Sequence, residues 1–237
     1  MIDSFIRALK KSPGSNGVFN PWWEMDPEND FNKSAPVIRR NQLKQYFLER
    51  IGTAKFLLIG EAIGYQGGHF TGIPMTSEQI LLGHKKDKGI LPEFIFSGIE
   101  PKRTSKPAIK PNGFSEPTGT IVWGSVADFN IDPKSVLIWN AFPWHTYTPE
   151  KGFLSNRTPT GNELNDGIHV LIKLKEIFKG INIISVGNNA KKMLQKMDTD
   201  ALPVRHPAYG GASKFREQFY TIMKEKMASL KVPSTAL

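Results

Sequence analysis

Four short apolar runs, separated by longer stretches with helical spacing, constrain the fold of this chain more than any other feature. The pattern predicts strands near residues 55–60, 135–140, 181–186 and 202–206. Helices are expected over 2–11, 36–51, 76–83, 119–129, 162–178, 188–197 and 211–230. The second of these opens on Ser34-Ala35-Pro36, a cap followed by a proline in the first turn. Continuous apolar strands alternating with helices need both sheet faces covered. The expectation is therefore an α/β fold, a three-layer sandwich with a central four-stranded parallel sheet flanked by helices and right-handed crossovers. At 237 residues, 39% of them hydrophobic, the chain can bury one sizeable core. A single domain over 1–237 is expected, with an N-terminal helical extension (1–53) and an irregular basic insertion (84–118).

The loop after each strand matters most for function. Lys55-Phe56-Leu57-Leu58-Ile59 runs into Gly60-Glu61-Ala62-Ile63-Gly64, and Ser135-Val136-Leu137-Ile138-Trp139 delivers Asn140. Val186-Gly187-Asn188-Asn189-Ala190 reads as a strand-to-helix turn, and His206-Pro207-Ala208-Tyr209-Gly210-Gly211 comes directly after the last strand. In a parallel sheet all four lie at the carboxyl edge, where ligand crevices form, so residues far apart in sequence can converge.

These segments resemble the motifs of the uracil-DNA glycosylase superfamily. The first is written G-E-A-P-G or G-M-N-P-G there, and the last begins His-Pro-Ser or His-Pro-Ala. Thr71-Gly72-Ile73-Pro74 has the spacing of the family's base-stacking segment, and Asn140 with Asn156-Arg157-Thr158-Pro159-Thr160 is similar to its middle motif. The resemblance covers roughly residues 54–223. Taken singly, glycine-rich turns of this kind occur in many α/β folds.

The resemblance implies cleavage of an N-glycosidic bond after the base leaves the stack. His206 would donate to the departing base, and Asn140 would read it through an amide that accepts from N3–H and donates to O4 of uracil. That reading requires neighbours that fix the amide's orientation. Glu61 is the carboxylate of the first motif, and orients water, offsets the sugar's charge or braces the loop. Ala62 stands where some relatives place water with Asp or Asn, Ile63 replaces the usual proline, and Gly64 closes the motif at the base pocket. Met75 occupies a position that many relatives fill with phenylalanine. It covers the base, leaves that role to Tyr65 or Phe70, relaxes the pocket for a larger base, or simply packs in the core. Tyr209, ahead of Gly210 and Gly211, is a candidate wedge for the gap in the duplex, or a structural loop aromatic. Lys214 and Arg216 at the start of the last helix, with Arg157 and Arg205, are candidate phosphate contacts.

The composition suits such a partner. A formal charge of +9 and a pI near 9.6 fit DNA, duplex or single-stranded, although solubility charge reads the same way. In the insertion, Lys85, Lys86, Lys88, Lys102, Arg103, Lys106 and Lys110 form either a phosphate-binding lid or a solvated surface. Without cysteine there is no disulfide and no four-cysteine iron–sulfur cluster of the kind common among G-E-A-P-G relatives. His69, His84, His145 and His169 lack the paired spacing of zinc ligands, so no metal and no cofactor is expected. The sequence shows no leader and no apolar run of membrane-spanning length, which suggests a cytoplasmic monomer that does not engage membranes. The expected activity is monofunctional hydrolysis releasing a pyrimidine, uracil first. A modified pyrimidine such as those of phage DNA is the alternative substrate, and a non-catalytic DNA-binding module is the alternative class.

Overall fold

In the computed structural model, which describes residues 1–231, the alternation read from the sequence becomes a five-stranded sheet flanked by helices. In chain order the elements are α1 (Ile2–Ala8), β1 (Val18–Phe19), α2 (Ala35–Leu48), β2 (Phe56–Ile63), α3 (Gly68–Thr71) and α4 (Glu78–Leu81). Next come α5 (Pro117–Asp128), β3 (Val136–Thr146), α6 (Gly161–Ile177), β4 (Asn182–Val186), α7 (Asn188–Lys196), β5 (Leu202–Val204) and α8 (Ala212–Lys231). The strand order is β1-β3-β2-β4-β5, and the last four strands are parallel.

The fifth strand corrects the expected count of four. β1 pairs antiparallel with β3 through Val18–Thr146 and Phe19–His145. Two residues are too few to show alternation, so no pattern marked them. β3 also runs six residues past Asn140, buried throughout, and so offers β1 a long edge to pair with.

Leu57, Leu58, Ile59 and Val136 through Trp139 are wholly buried and form the centre of the core. Trp22 stacks on Trp139 at 5.7 Å and donates its indole N–H to the Gly72 carbonyl at 3.0 Å. The aromatic Asn20–Glu24 segment is thus packed on the body, and it buttresses the loop after the first motif.

Residues 84–118 are irregular but anchored. The buried Glu78 carboxylate accepts from the backbone N–H groups of Thr104 (2.8 Å), Ser105 (2.9 Å) and Phe114 (3.2 Å), satisfying donors that a buried loop would otherwise orphan. The buried Arg50 guanidinium donates to the carbonyls of Phe94, Ile95, Pro133 and Val136. Arg103 and Lys106 donate to nearby backbone carbonyls, so these two cations brace the segment. Among the described residues no helix is long and apolar enough to cross a membrane.

Candidate active site

Beyond the carboxyl end of β2 lies a crevice of about 500 Å3, a size suited to a small organic group. Its walls include Glu61, Ala62, Gly64, Met75, Glu116, Asn156, Arg157, His206 and Tyr209, so the first and last motifs and the Asn156–Thr158 part of the middle one converge, whereas Asn140 is not among the walls. A second groove of about 560 Å3, between α2 and residues 99–102, holds none of the motif residues.

His206 is two residues beyond the end of β5. Its Nδ1 accepts the backbone N–H of Ala208 at 3.1 Å. A backbone amide can only donate, so Nδ1 carries no proton and the ring hydrogen of the neutral imidazole sits on Nε2. Burial lowers the His206 pKa below the ordinary histidine value, Glu61 opposes that shift and Arg205 adds to it. Space for the ring comes from Gly187, held at φ +89°, where a Cβ would stand 3.1 Å from the Cβ of His206. At Gly211 a Cβ would collide with the His206 carbonyl, which explains a glycine there.

The Oε2 atom of Glu61 accepts from the Asn189 side chain, in the first turn of α7, at 2.7 Å. That bond ties the first motif to the strand-to-helix turn after β4. Glu61 also faces the crevice, close enough to His206 to act on it electrostatically.

Asn140 and Gly60 are register partners on β3 and β2. A Cβ at Gly60 would lie 2.6 Å from Asn140 Oδ1 and would also meet the Met75 methyl, so glycine makes room for both. Asn140 is buried, and neither polar atom of its amide has a hydrogen-bond partner. Leaving such a group unsatisfied costs about 1–3 kcal/mol. No neighbour fixes which way the amide points, contrary to what a uracil-specific reading requires. The Met75 methyl lies over Gly60, with the backbone of Met75 in the left-handed region at φ 48°. Such strain in a non-glycine residue is often found at functional sites.

The other sequence candidates separate clearly. Ala62 and Gly64 line the crevice. Phe70 is buried and stacks on Phe114 at 4.3 Å, and Tyr65 meets the edge of Phe114, so neither ring is a wall of the crevice. Tyr209 is 98% exposed at φ 53°, next to Gly210 at φ 72°. Arg205, Lys214 and Arg216 are exposed. Arg157 is held by Glu163 at 2.6 and 2.8 Å and by the Tyr147 carbonyl at 3.1 Å, so its charge is already engaged. His69 and His145 are buried and joined to one another at 2.9 Å, with Asp26 on the far side of His69 at 3.0 Å. The insertion's lysines are absent from the crevice walls.

Gln66, Glu116, Pro117 and Thr118 are wall residues that the sequence reading did not single out, and Glu116 is the ionisable one. Glu116 is the N-cap of α5, yet its side chain caps nothing. Its Oε2 is sealed from solvent without a partner, and burial pushes the carboxyl up to about 8. The Glu116-Pro117 start of a helix was the available signal, hidden at the end of the irregular stretch.

The fold and the crevice together define an α/β protein with a crevice at the carboxyl edge of its sheet. Residues 50–228 match the family model of the uracil DNA glycosylase superfamily, and the chain belongs to that superfamily. Among solved structures it is similar to wild-type SMUG2 of Pedobacter heparinus. The TM-score is 0.59 at 15% identity, over 96% of this chain and 98% of that one, a likeness of fold. No curated protein sequence matches.

Proposed function

We propose that this protein is a monofunctional DNA glycosylase that hydrolyses the bond between a flipped-out pyrimidine and its deoxyribose, with uracil as the simplest substrate. The observation that carries the reading is the Ala208–His206 contact, because it leaves Nε2–H as a preorganised donor at the crevice. Extruding the base costs a few kcal/mol, which pocket contacts offset. The exposed Tyr209 ring is suited to filling the gap. As the base enters, the flexible Met75 side chain swings from over Gly60, and the ring takes up the two unpartnered atoms of Asn140. The C–N bond then breaks with its electron pair going to the base, whose developing negative charge meets the Nε2–H of His206. Water adds to the sugar carbon and its proton ends on the base. Glu61, held by Asn189, faces the positive charge that builds on the sugar.

The test is incubation of the protein with duplex and single-stranded oligonucleotides carrying one uracil, followed by alkali. Base release with strand scission only after alkali supports the reading. Tight DNA binding with no base released would favour a non-catalytic module.

A further inference from the structure

We propose that His69 and His145 are positioning residues, a buried two-ring hydrogen-bond chain that holds the Ser155–Asn156 segment against the loop after β2 and so fixes the spacing of two crevice walls. Only its effect on rate rests on the glycosylase reading.

The donors and acceptors of the chain follow from one end. The Ser155 carbonyl can only accept, so its contact with His145 Nε2 at 2.8 Å places a proton on that nitrogen. Burial, with His69 close by, lowers the His145 pKa to about 3, so at neutral pH the ring is uncharged and its Nδ1 is an acceptor. His69 Nδ1 therefore donates across the 2.9 Å between the two rings. On its far side His69 Nε2 meets Asp26 Oδ2 at 3.0 Å. Without a proton there, two lone pairs would face each other in a buried site, so one proton lies between them. Asp26 Oδ1 is held in turn by the backbone N–H groups of Glu28 and Asn29, each at 3.0 Å. One order of protons satisfies all four ring nitrogens.

The chain joins segments distant in sequence and ends at the crevice. Asp26 lies between β1 and α2, His69 in α3 and His145 in β3. Both rings are wholly buried, and Phe19 of β1 stacks on His69 at 4.4 Å. The backbone N–H of His69 donates to the Gly64 carbonyl at 3.4 Å, which ties α3 to the first motif. At the other end Ser155 is followed by Asn156, a wall residue whose amide oxygen accepts the Tyr65 N–H at 3.0 Å. The Asn156 side chain also faces His145 closely enough to favour its protonation. A Cβ on Gly64 would stand 3.7 Å from the Asn156 amide nitrogen, so the two walls nearly touch. Ser155 Oγ keeps its bonds within its own turn, to Thr148 and Gly152. The histidines thus add a second tie between walls that otherwise meet through Tyr65 and Asn156. Two aliphatic side chains would fill the same space without desolvating imidazoles, but they would not set a distance as directional bonds do. In a catalytic site a misplacement of about 1 Å can cost about 100-fold in rate.

The experiment compares wild type, His145→Gln and His145→Phe. Glutamine keeps one donor and one acceptor, whereas phenylalanine fills the space with neither. Imidazole nitrogen NMR of wild type should show His145 protonated at Nε2 alone, with a nitrogen–nitrogen coupling across the His69–His145 bond. Exchange of the Tyr65 amide hydrogen should quicken at least ~10-fold in His145→Phe and stay within ~3-fold of wild type in His145→Gln. Single-turnover release of uracil should follow the same order, with DNA affinity little changed. A proton on His145 Nδ1, or no coupling, would overturn the proposal even if His145→Phe fails to fold. Tyr65 exchange that is unchanged in His145→Phe, or equally raised in both variants, would also overturn it. If exchange follows the expected order but no protein releases a base, the positioning role stands and the glycosylase reading falls.

Discussion

The backbone N–H of Ala208 donates to Nδ1 of His206 at 3.1 Å, and this contact decides which ring nitrogen is able to act. With Nδ1 occupied, Nε2–H is the group left to meet the base. His206→Ala should fold normally by circular dichroism yet lose base release by at least ~100-fold, the usual loss for a transition-state donor. Full activity in that variant would remove His206 from the mechanism. Acid should act in the same direction, because a proton on Nδ1 breaks the Ala208 contact. Burial lowers the His206 pKa, so the rate should hold through neutral pH and fall only below the ordinary histidine range.

Glu116 predicts a pH dependence of stability. Folded, it keeps its proton to about pH 8, whereas the unfolded chain loses it near the ordinary value of 4.5. Between those values the unfolded state binds fewer protons, so stability declines as pH rises and levels off above the folded pKa. Glu116→Gln removes that loss. Thermal melts should show the variant more stable than wild type at about pH 8.5, with the gap shrinking toward about pH 5. An equal gap at both values would mean that Glu116 is ionised in the fold.

Gly60→Ala tests the space that Met75 and Asn140 share. The added methyl would meet both Met75 and Asn140 Oδ1, and Asn140 is fixed to a central strand while the thioether can move. Base release should fall at least ~10-fold with little change in DNA affinity, since the candidate phosphate-binding cations lie elsewhere. Wild-type rates would show that the base does not descend as far as Asn140.

The sequence displayed the parallel strands and the convergence of their loops, because apolar runs and glycine turns are local signals. Glu61, Ala62, Gly64, Met75 and His206 all line the crevice as that convergence implies. The features that stayed hidden depend on distant chain. β1 is a strand only because β3 is long enough to pair with it, and the sealing of Glu116 Oε2 depends on Gly67, where a Cβ would collide with it. Arg157 reads in sequence as a candidate phosphate contact, but Glu163 engages it, and Phe70 reads as one alternative for the stacking ring, but Phe114 covers it. Burial and pairing of side chains are set by partners far away in sequence, which composition and periodicity do not report.

DNA affinity should be strongly salt-dependent. Arg205, Lys214 and Arg216 are exposed around the His206 loop and the start of α8, whereas Arg157 is engaged by Glu163. Replacing the three exposed cations with alanine should reduce the log–log salt slope by up to about 3, near 0.9 for each phosphate no longer neutralised. Measured by anisotropy with a duplex carrying a non-hydrolysable analogue, an unchanged slope would place the DNA on another face.

The most direct measurement is single-turnover release of the free base from a uracil-containing oligonucleotide by wild type and His206→Ala in parallel. Free uracil should appear with wild type, leaving a strand that breaks only in alkali, and should be reduced at least ~100-fold in the variant. If both proteins leave the glycosidic bond intact, on uracil and on 5-substituted pyrimidines alike, the account of this crevice as a glycosylase site is contradicted.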